Sequence, residues 1–207
     1  MKKVIVRGPA LSRSGYGEHT RATLRALRSR EDLFDIYLNN VNWGKTGWIW
    51  EDDAEREWLD EIILKTALYL QNHGQFDVSL QVTIPNEWEI LAPVNIGVTA
   101  GIETTKVAPQ WVEKSKIVDH IITISEHSKN TYVNSFYKAQ NNETGEVVDD
   151  YRCTTPIDVV HYPVKEFEAA ELDLDFETDF NFLTIAQISP RKNIENTIRW
   201  FVEEFFD

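Results

Sequence analysis

Residues 94–137 read VNIGVTAGIETTKVAPQWVEKSKIVDHIITISEHSKNTYVNSFY, and this stretch decides the predicted fold. Its two apolar runs, 94–99 and 119–124, predict β-strands that are connected by a polar loop and a short helix. Ser125 follows the second run, and its hydroxyl can cap a helix that we expect to continue to about Ala139. Strands that alternate with helices predict a parallel sheet covered by helices on both faces.

The loops that leave these two strands are the first candidates for a functional cleft. In a parallel α/β sheet, ligands bind in the crevice beyond the carboxyl ends of the strands. Residues 100–109 and 125–129 directly follow the two predicted strands. We therefore expect both loops to face the same cleft.

Residues 2–29 predict another unit of this kind. An apolar strand over residues 2–7 leads into a glycine-containing loop, and a helix is expected over residues 18–29. Such a loop presents backbone amides to an anion or a sugar, and Gly15 and Gly17 can adopt positive φ and let a ligand approach the backbone. The third glycine of the dinucleotide-binding fingerprint is missing, which disfavours a dinucleotide-dependent oxidoreductase. The stretch is either a functional loop or a plain strand–helix turn.

Three tryptophans, Trp43, Trp48 and Trp50, crowd into and just after a loop over residues 39–47. Aromatic rings near a cleft can stack on the apolar C–H faces of sugar rings, and they are also ordinary packing residues. We favour packing for all three.

The remaining elements up to residue 165 continue the alternation of strands and helices. The sequence predicts strands over residues 33–38, 76–82 and 157–162, an amphipathic helix over residues 51–72, and a polar loop or insertion over residues 140–155 that contains Asn141 and Asn142. These elements complete a doubly wound, Rossmann-like domain over residues 1–165.

The last part of the sequence predicts an acidic linker and the start of a second domain. Residues 166–179 are acidic, a strand is expected over residues 181–187, and an amphipathic helix follows Pro190-Arg191-Lys192-Asn193. One strand–helix unit cannot bury both faces of its strand. We therefore interpret residues 180–207 as the incomplete beginning of a second Rossmann-like domain.

Composition excludes several classes of protein. A formal net charge of −13 argues against a nucleic-acid-binding protein, because phosphate neutralisation requires clustered Lys and Arg. The sequence contains no run of about 18 apolar residues, so it predicts no transmembrane segment. The single cysteine, Cys153, excludes an intramolecular disulfide and is typical of a reducing compartment, so we expect a cytoplasmic protein.

The order of several short motifs resembles a known family. The motifs are the Gly-x-Gly loop after the first strand, Gly101-Ile102-Glu103-Thr104 followed by Trp111, Ser125-Glu126, His161-Tyr162-Pro163-Val164, and Pro190-Arg191-Lys192-Asn193. Their order and spacing resemble the N-terminal portion of a two-domain, GT-B fold glycosyltransferase of the retaining, glycogen-synthase-like or mannosyltransferase-like group. In that family the N-terminal domain mainly binds the acceptor, and the C-terminal domain mainly binds the nucleotide-sugar donor.

The resemblance implies a set of site residues. They are Glu103 as the candidate catalytic residue, Gly15, Tyr16, Gly17 and Thr104 as substrate-binding residues, and Arg191 and Lys192 as partners of the donor diphosphate. Cations and backbone amides can stabilise a leaving diphosphate without a metal. The expected chemistry therefore needs no metal and no cofactor besides the nucleotide sugar, which is a co-substrate.

Two functions remain open at this point. The first is transfer of a sugar from a nucleotide donor to an unknown glycan, lipid or protein acceptor. Here the 207-residue chain would be inactive alone, and a second polypeptide or a homodimer would complete the donor domain. The second is a non-catalytic Rossmann-like module that binds a glycan or a protein. It is favoured by the acidic surface and by missing donor residues, since Ala186-Gln187 stands where many family members carry Gly-Arg.

Overall fold

The computed structural model describes residues 1–140, 144–164, 166–171, 173–186 and 188–206. The chain divides into two units, Met1–Val164 and Lys165–Asp207, and each is described by itself. In chain order, the helices and strands are β1 (Lys2–Gly8), α1 (Gly15–Arg28), β2 (Phe34–Asn40), α2 (Ala54–Gln71), β3 (Val78–Val82), β4 (Val94–Thr99), α3 (Pro109–Ser115), β5 (His120–Thr123), α4 (Glu126–Val133), β6 (Phe136–Gln140), β7 (Val147–Arg152), β8 (Ile157–Val159) and α5 (Ile194–Phe205).

The first unit is built on a six-stranded sheet with the order β2-β1-β3-β4-β5-β8. Every neighbouring pair in this sheet is parallel. The chain proceeds from β1 to one side, returns across β1, and then continues to the other side, so the strand order reverses between β1 and β3. The predicted α/β, Rossmann-like sheet is confirmed, and the reversal marks the point where such folds bind ligands.

Successive strand residues point to opposite sides of this sheet. Both faces therefore carry apolar side chains, and helices cover both. Val6 and Leu38 pack with Leu24 of α1 on one face, whereas their neighbours Ile5 and Tyr37 belong to a separate buried cluster. A third cluster joins β5 to α3 and α4 and consists of Trp88, Val107, Trp111, Val112, Val118, Ile121 and Tyr132. Among the described helices, none is long and apolar enough to cross a membrane.

The start of α1 differs from the prediction. The helix begins at Gly15, and Ser14 caps it by accepting a hydrogen bond from the Gly17 amide at 3.0 Å. Gly15 and Gly17 are therefore helical, and the predicted positive φ is wrong for both. A Cβ atom on Gly17 would lie 2.0 Å from the Ser12 carbonyl oxygen. Position 17 therefore requires glycine, because the preceding loop packs directly on the first helical turn.

The predicted length of α4 is also wrong. The helix ends at Val133, and β6 and β7 then form an antiparallel hairpin where we expected helix and polar loop. Tyr137 and Tyr151 face each other across this hairpin and pack against the cluster around Trp88. This tertiary packing outweighs local helix propensity. Asn141 and Asn142, part of the predicted loop, lie outside the described residues.

The second unit lacks the predicted strand at the residues that the structure describes. Residues 181–186 form neither helix nor strand, and Gln187 lies outside the described residues. A strand requires a neighbour for its backbone hydrogen bonds, and none of the described residues pairs with this segment. The predicted helix is present as α5, and its Phe201 lies 4.9 Å, between ring centroids, from Phe182.

Candidate functional site

The candidate site lies at the carboxyl edge of the parallel sheet in the first unit. Four neighbouring strands, β1, β3, β4 and β5, end at this edge because all of them run in the same direction. The segments that follow them carry most of the residues predicted from sequence. The edge therefore gathers side chains that are far apart in the chain.

Tyr16 connects α1 to the loop that follows β4. Its hydroxyl lies 3.0 Å from Thr99 Oγ1 and accepts a hydrogen bond from the Ala100 amide at 3.2 Å. Burial raises the pKa of the Tyr16 phenol above its usual value, and the negative charges of Glu87 and Glu103 act in the same direction. Tyr16 is therefore a neutral phenol at neutral pH that ties two distant segments together.

The loops after β4 and β5 meet at one edge of the sheet, and that they face a functional cleft stays a prediction. Ser128 Oγ, in the first turn of α4, donates to the Ala100 carbonyl at 3.2 Å, and Ser125 caps the same helix. Gly101 has a φ of 76°, and a Cβ atom there would lie 2.3 Å from Ser128 Oγ. Both the backbone conformation and the close approach require glycine at this position.

Glu103 and Thr104 lie on the exposed part of the β4–α3 loop. The Thr104 hydroxyl donates to the Lys106 carbonyl at 2.9 Å, and the Thr104 carbonyl accepts from Thr131 Oγ1 at 3.4 Å. Glu103 is close enough for its charge to act on Tyr16. The structure thus brings Glu103, Thr104 and the start of α1 into one region, while their roles remain predictions.

The two glycines of α1 have different surroundings. Nothing lies within 4 Å of the position that a Cβ atom would occupy on Gly15, whereas the Gly17 position is blocked by backbone. Gly15 therefore borders open space at the edge of the sheet, and Gly17 supports the turn beneath it.

His19 is a candidate site residue that the sequence did not predict. It is 8% exposed, its Nδ1 has no hydrogen-bond partner among the described residues, and its ring lies 4.8 Å from Tyr162. Burial lowers the pKa of His19 to about 4, so the imidazole is neutral at neutral pH. His19 follows Tyr16 by three residues, which puts both side chains on one face of the helix. This spacing is the feature of the sequence that could have identified His19.

Arg191 and Lys192 lie in the second unit, on the turn Pro190–Lys192 that precedes α5. Both side chains are exposed. Asn193, which follows them, has a φ of 52° and directly precedes the first residue of α5. The two cations are therefore presented on the surface of that unit.

A cavity of about 260 Å³ lies at the carboxyl ends of β1 and β2. It is beside the Tyr16 junction, the contact of Tyr16 with Thr99 and Ala100. Trp43 and Trp48 line it, and the Trp43 ring lies 4.7 Å from the Tyr16 ring, between centroids. Packing is confirmed for Trp43. It is wrong for Trp50, which is 81% exposed, and Trp48, which is 42% exposed, packs only in part.

The charged side chains at this edge and the comparisons with known proteins add no further evidence about its function. In the described ranges, no three His, Cys, Asp or Glu side chains gather as metal ligands would. Comparisons with protein-family models, curated proteins and solved structures found no match to this chain.

Proposed function

We propose that this chain is a glycosyltransferase, or a part of one, that moves a sugar from a nucleotide-sugar donor to an acceptor. The observation that carries the proposal is the hydrogen bond between Tyr16 and Ala100, which joins residues 84 positions apart. It unites the Gly-x-Gly segment and the Glu103 loop, two motifs that the family resemblance assigns to one cleft. Their common position is also where doubly wound sheets bind ligands.

In the proposed reaction, the bond between the anomeric carbon and the diphosphate oxygen breaks, and the acceptor oxygen bonds to the anomeric carbon. The acceptor proton leaves to the diphosphate or to solvent. Negative charge builds on the diphosphate, and Arg191 and Lys192 are the cations assigned to it.

Glu103 is assigned to hydroxyl groups of the transferred sugar or of the acceptor. An exposed carboxylate accepts hydrogen bonds from hydroxyls, and such charge-assisted bonds are about twice as strong as neutral ones. The neutral Tyr16 phenol and the Thr104 segment border the same space. These groups would orient a sugar by hydrogen bonds.

Thermal unfolding of the full chain with nucleoside diphosphates and nucleotide sugars tests the proposal. A ligand at about 100 times its Kd adds about 2.7 kcal/mol to the free energy of unfolding. Since about 1 kcal/mol raises the Tm of a domain of this size by about 2–4 °C, we expect a rise of roughly 5–10 °C with one base. A folded chain whose Tm moves with no member of the panel would contradict the proposal.

Matched variants test the role of Glu103 in the same experiment. A nucleotide sugar should raise Tm more than its nucleoside diphosphate does, because the sugar adds contacts. Glu103→Gln should remove this extra rise and leave the diphosphate shift intact. Glu113→Gln changes another exposed glutamate, on α3, and should leave both shifts unchanged. Equal effects of the two variants would refute the assignment of Glu103.

A further inference from the structure

The proposed nucleotide chemistry leaves the cavity beside Tyr16 without an assigned role. Its volume of about 260 Å³ lies just below the range of drug-sized sites. The β1–α1 loop contributes Leu11 and Ser12, the end of β2 contributes Asn40, and the following loop contributes Trp43, Thr46 and Trp48. It has the size for one small ring and lies next to the proposed active site.

Hydrogen bonds hold the walls of this cavity in place. Ser12 and Thr46 join the two loops through their hydroxyls, which lie 2.7 Å apart. The Arg13 amide donates to the Gly47 carbonyl at 2.8 Å, and the Ile49 amide donates to the Leu11 carbonyl at 2.9 Å. The cavity is therefore pre-formed, and binding a ligand there would cost little ordering of the protein.

Aromatic rings supply the apolar part of the lining. Trp43 is held against Tyr16 with a centroid distance of 4.7 Å and an interplanar angle of 43°. Trp48 is 42% exposed, so a large part of its surface is open to a ligand. An indole offers a broad apolar face with one polar tip. That combination matches a ligand with an apolar ring face and a polar rim.

Uncharged polar groups supply the rest of the lining. Asn40 Oδ1 accepts from the Leu11 amide at 3.0 Å, which orients the side chain, and its Nδ2 donates to none of the described residues. The Ser12 and Thr46 hydroxyls contact each other and donate to Ser14 Oγ and to the Trp43 carbonyl, respectively, and they retain acceptor capacity for a ligand. No charged side chain belongs to the lining in the part of the chain that the structure describes. A phosphate would find no cation here, and a neutral polyol would find both donors and acceptors.

We propose that this cavity binds a neutral sugar ring. An indole face opposes the C–H face of the ring, and the Asn40 amide and the two hydroxyls bind its hydroxyl groups. The inference is independent of nucleotide-sugar transfer. If the proposed function holds, the cavity is a subsite for a glycan acceptor. If the chain is a non-catalytic module, the same cavity is its glycan-binding site.

An NMR titration of the full chain tests the inference. The probes are glucose, galactose, mannose, N-acetylglucosamine and short linear oligomers of glucose, each added until the signals stop moving or solubility is reached. We expect saturable shifts of the indole N–H signals of Trp43 and Trp48 with at least one probe. The Trp50 signal should not move, because Trp50 is outside the lining. A folded chain in which no probe shifts the Trp43 and Trp48 signals would overturn the inference.

Two variants provide the matched control. Trp48→Ala should weaken the affinity for that sugar by roughly twofold to tenfold, the value of one aromatic contact. Trp50→Ala should leave it unchanged, and equal losses in both variants would overturn the inference. Nucleotide-induced changes in Tm should persist in Trp48→Ala. Failure of the sugar site is therefore distinguishable from failure of the proposed function.

Discussion

The β1–α1 segment and residues 181–205 have similar sequence patterns and different structures. Both read as an apolar strand, a polar turn and an amphipathic helix. The first forms a strand paired on both sides, and α1 buries Leu24 completely. The second forms no strand at its described residues, and none of the residues of α5 is buried. An apolar run becomes a strand where neighbouring strands satisfy its backbone.

The largest expected effect is a difference in stability between truncation of a buried side chain in α1 and truncation of an exposed one in α5. Leu24→Ala should lower the free energy of unfolding by about 2–5 kcal/mol, because it removes buried methyl groups and leaves a cavity. Ile198→Ala in α5, where the side chain is 59% exposed, should change it by less than about 0.5 kcal/mol. Urea unfolding followed by circular dichroism measures both. A cost for Ile198→Ala similar to that of Leu24→Ala would show that α5 is buried in the folded chain.

Acid should destabilise the first unit through His19. Its folded pKa of about 4 lies below the ordinary value of 6.5. The unfolded state therefore binds the proton more readily, and stability falls as pH decreases from about 6.5 to about 4. The loss should reach roughly 3 kcal/mol. Because carboxylates titrate in part of this window, the control is His19→Gln, which should show a smaller decline. Identical pH profiles for the two proteins would contradict the burial of a neutral His19.

The two glycines of α1 should respond in opposite directions. Gly17→Ala should cost about 1–3 kcal/mol, because its Cβ atom would meet the Ser12 carbonyl and force the backbone to move. Gly15→Ala has open space and a helical backbone and should gain about 0.4–1 kcal/mol. Thermal unfolding of both variants measures the difference. Destabilisation of equal size at both positions would be inconsistent with the observed helix start.

The smallest effect concerns the junction between α1 and the β4 loop. Tyr16→Phe leaves the Ala100 amide without its partner and should cost about 1–2 kcal/mol. Tyr162→Phe is the control, since the Tyr162 hydroxyl has no partner among the described residues, and it should be nearly neutral. Urea midpoints compare the two, and equal midpoints would mean that the Tyr16 hydroxyl does not stabilise the junction.

Sequence patterns predicted the sheet of the first unit and the neighbouring positions of its edge loops, because buried parallel strands leave clear apolar runs. They failed where a partner distant in sequence decides the structure. Phe136–Gln140 is a strand because it pairs with Val147–Arg152, and residues 181–186 are not one because no described residue pairs with them. The sequence does not reveal the burial of His19, because its ring neighbour Tyr162 is distant in sequence and follows β8. Gly15 and Gly17 match a loop motif, and only the Ser14 cap shows that they begin a helix.

Hydrogen exchange of the full chain, with and without a nucleotide sugar, tests the central claim most directly. The account predicts slow exchange at β1 and β3 and fast exchange at residues 181–186 in the free chain. Addition of the nucleotide sugar should slow exchange at residues 14–17 and 100–104, where α1 and the Glu103 loop meet. Unchanged exchange at both segments with saturating nucleotide sugar, or protection of residues 181–186 equal to that of β1, would contradict the account.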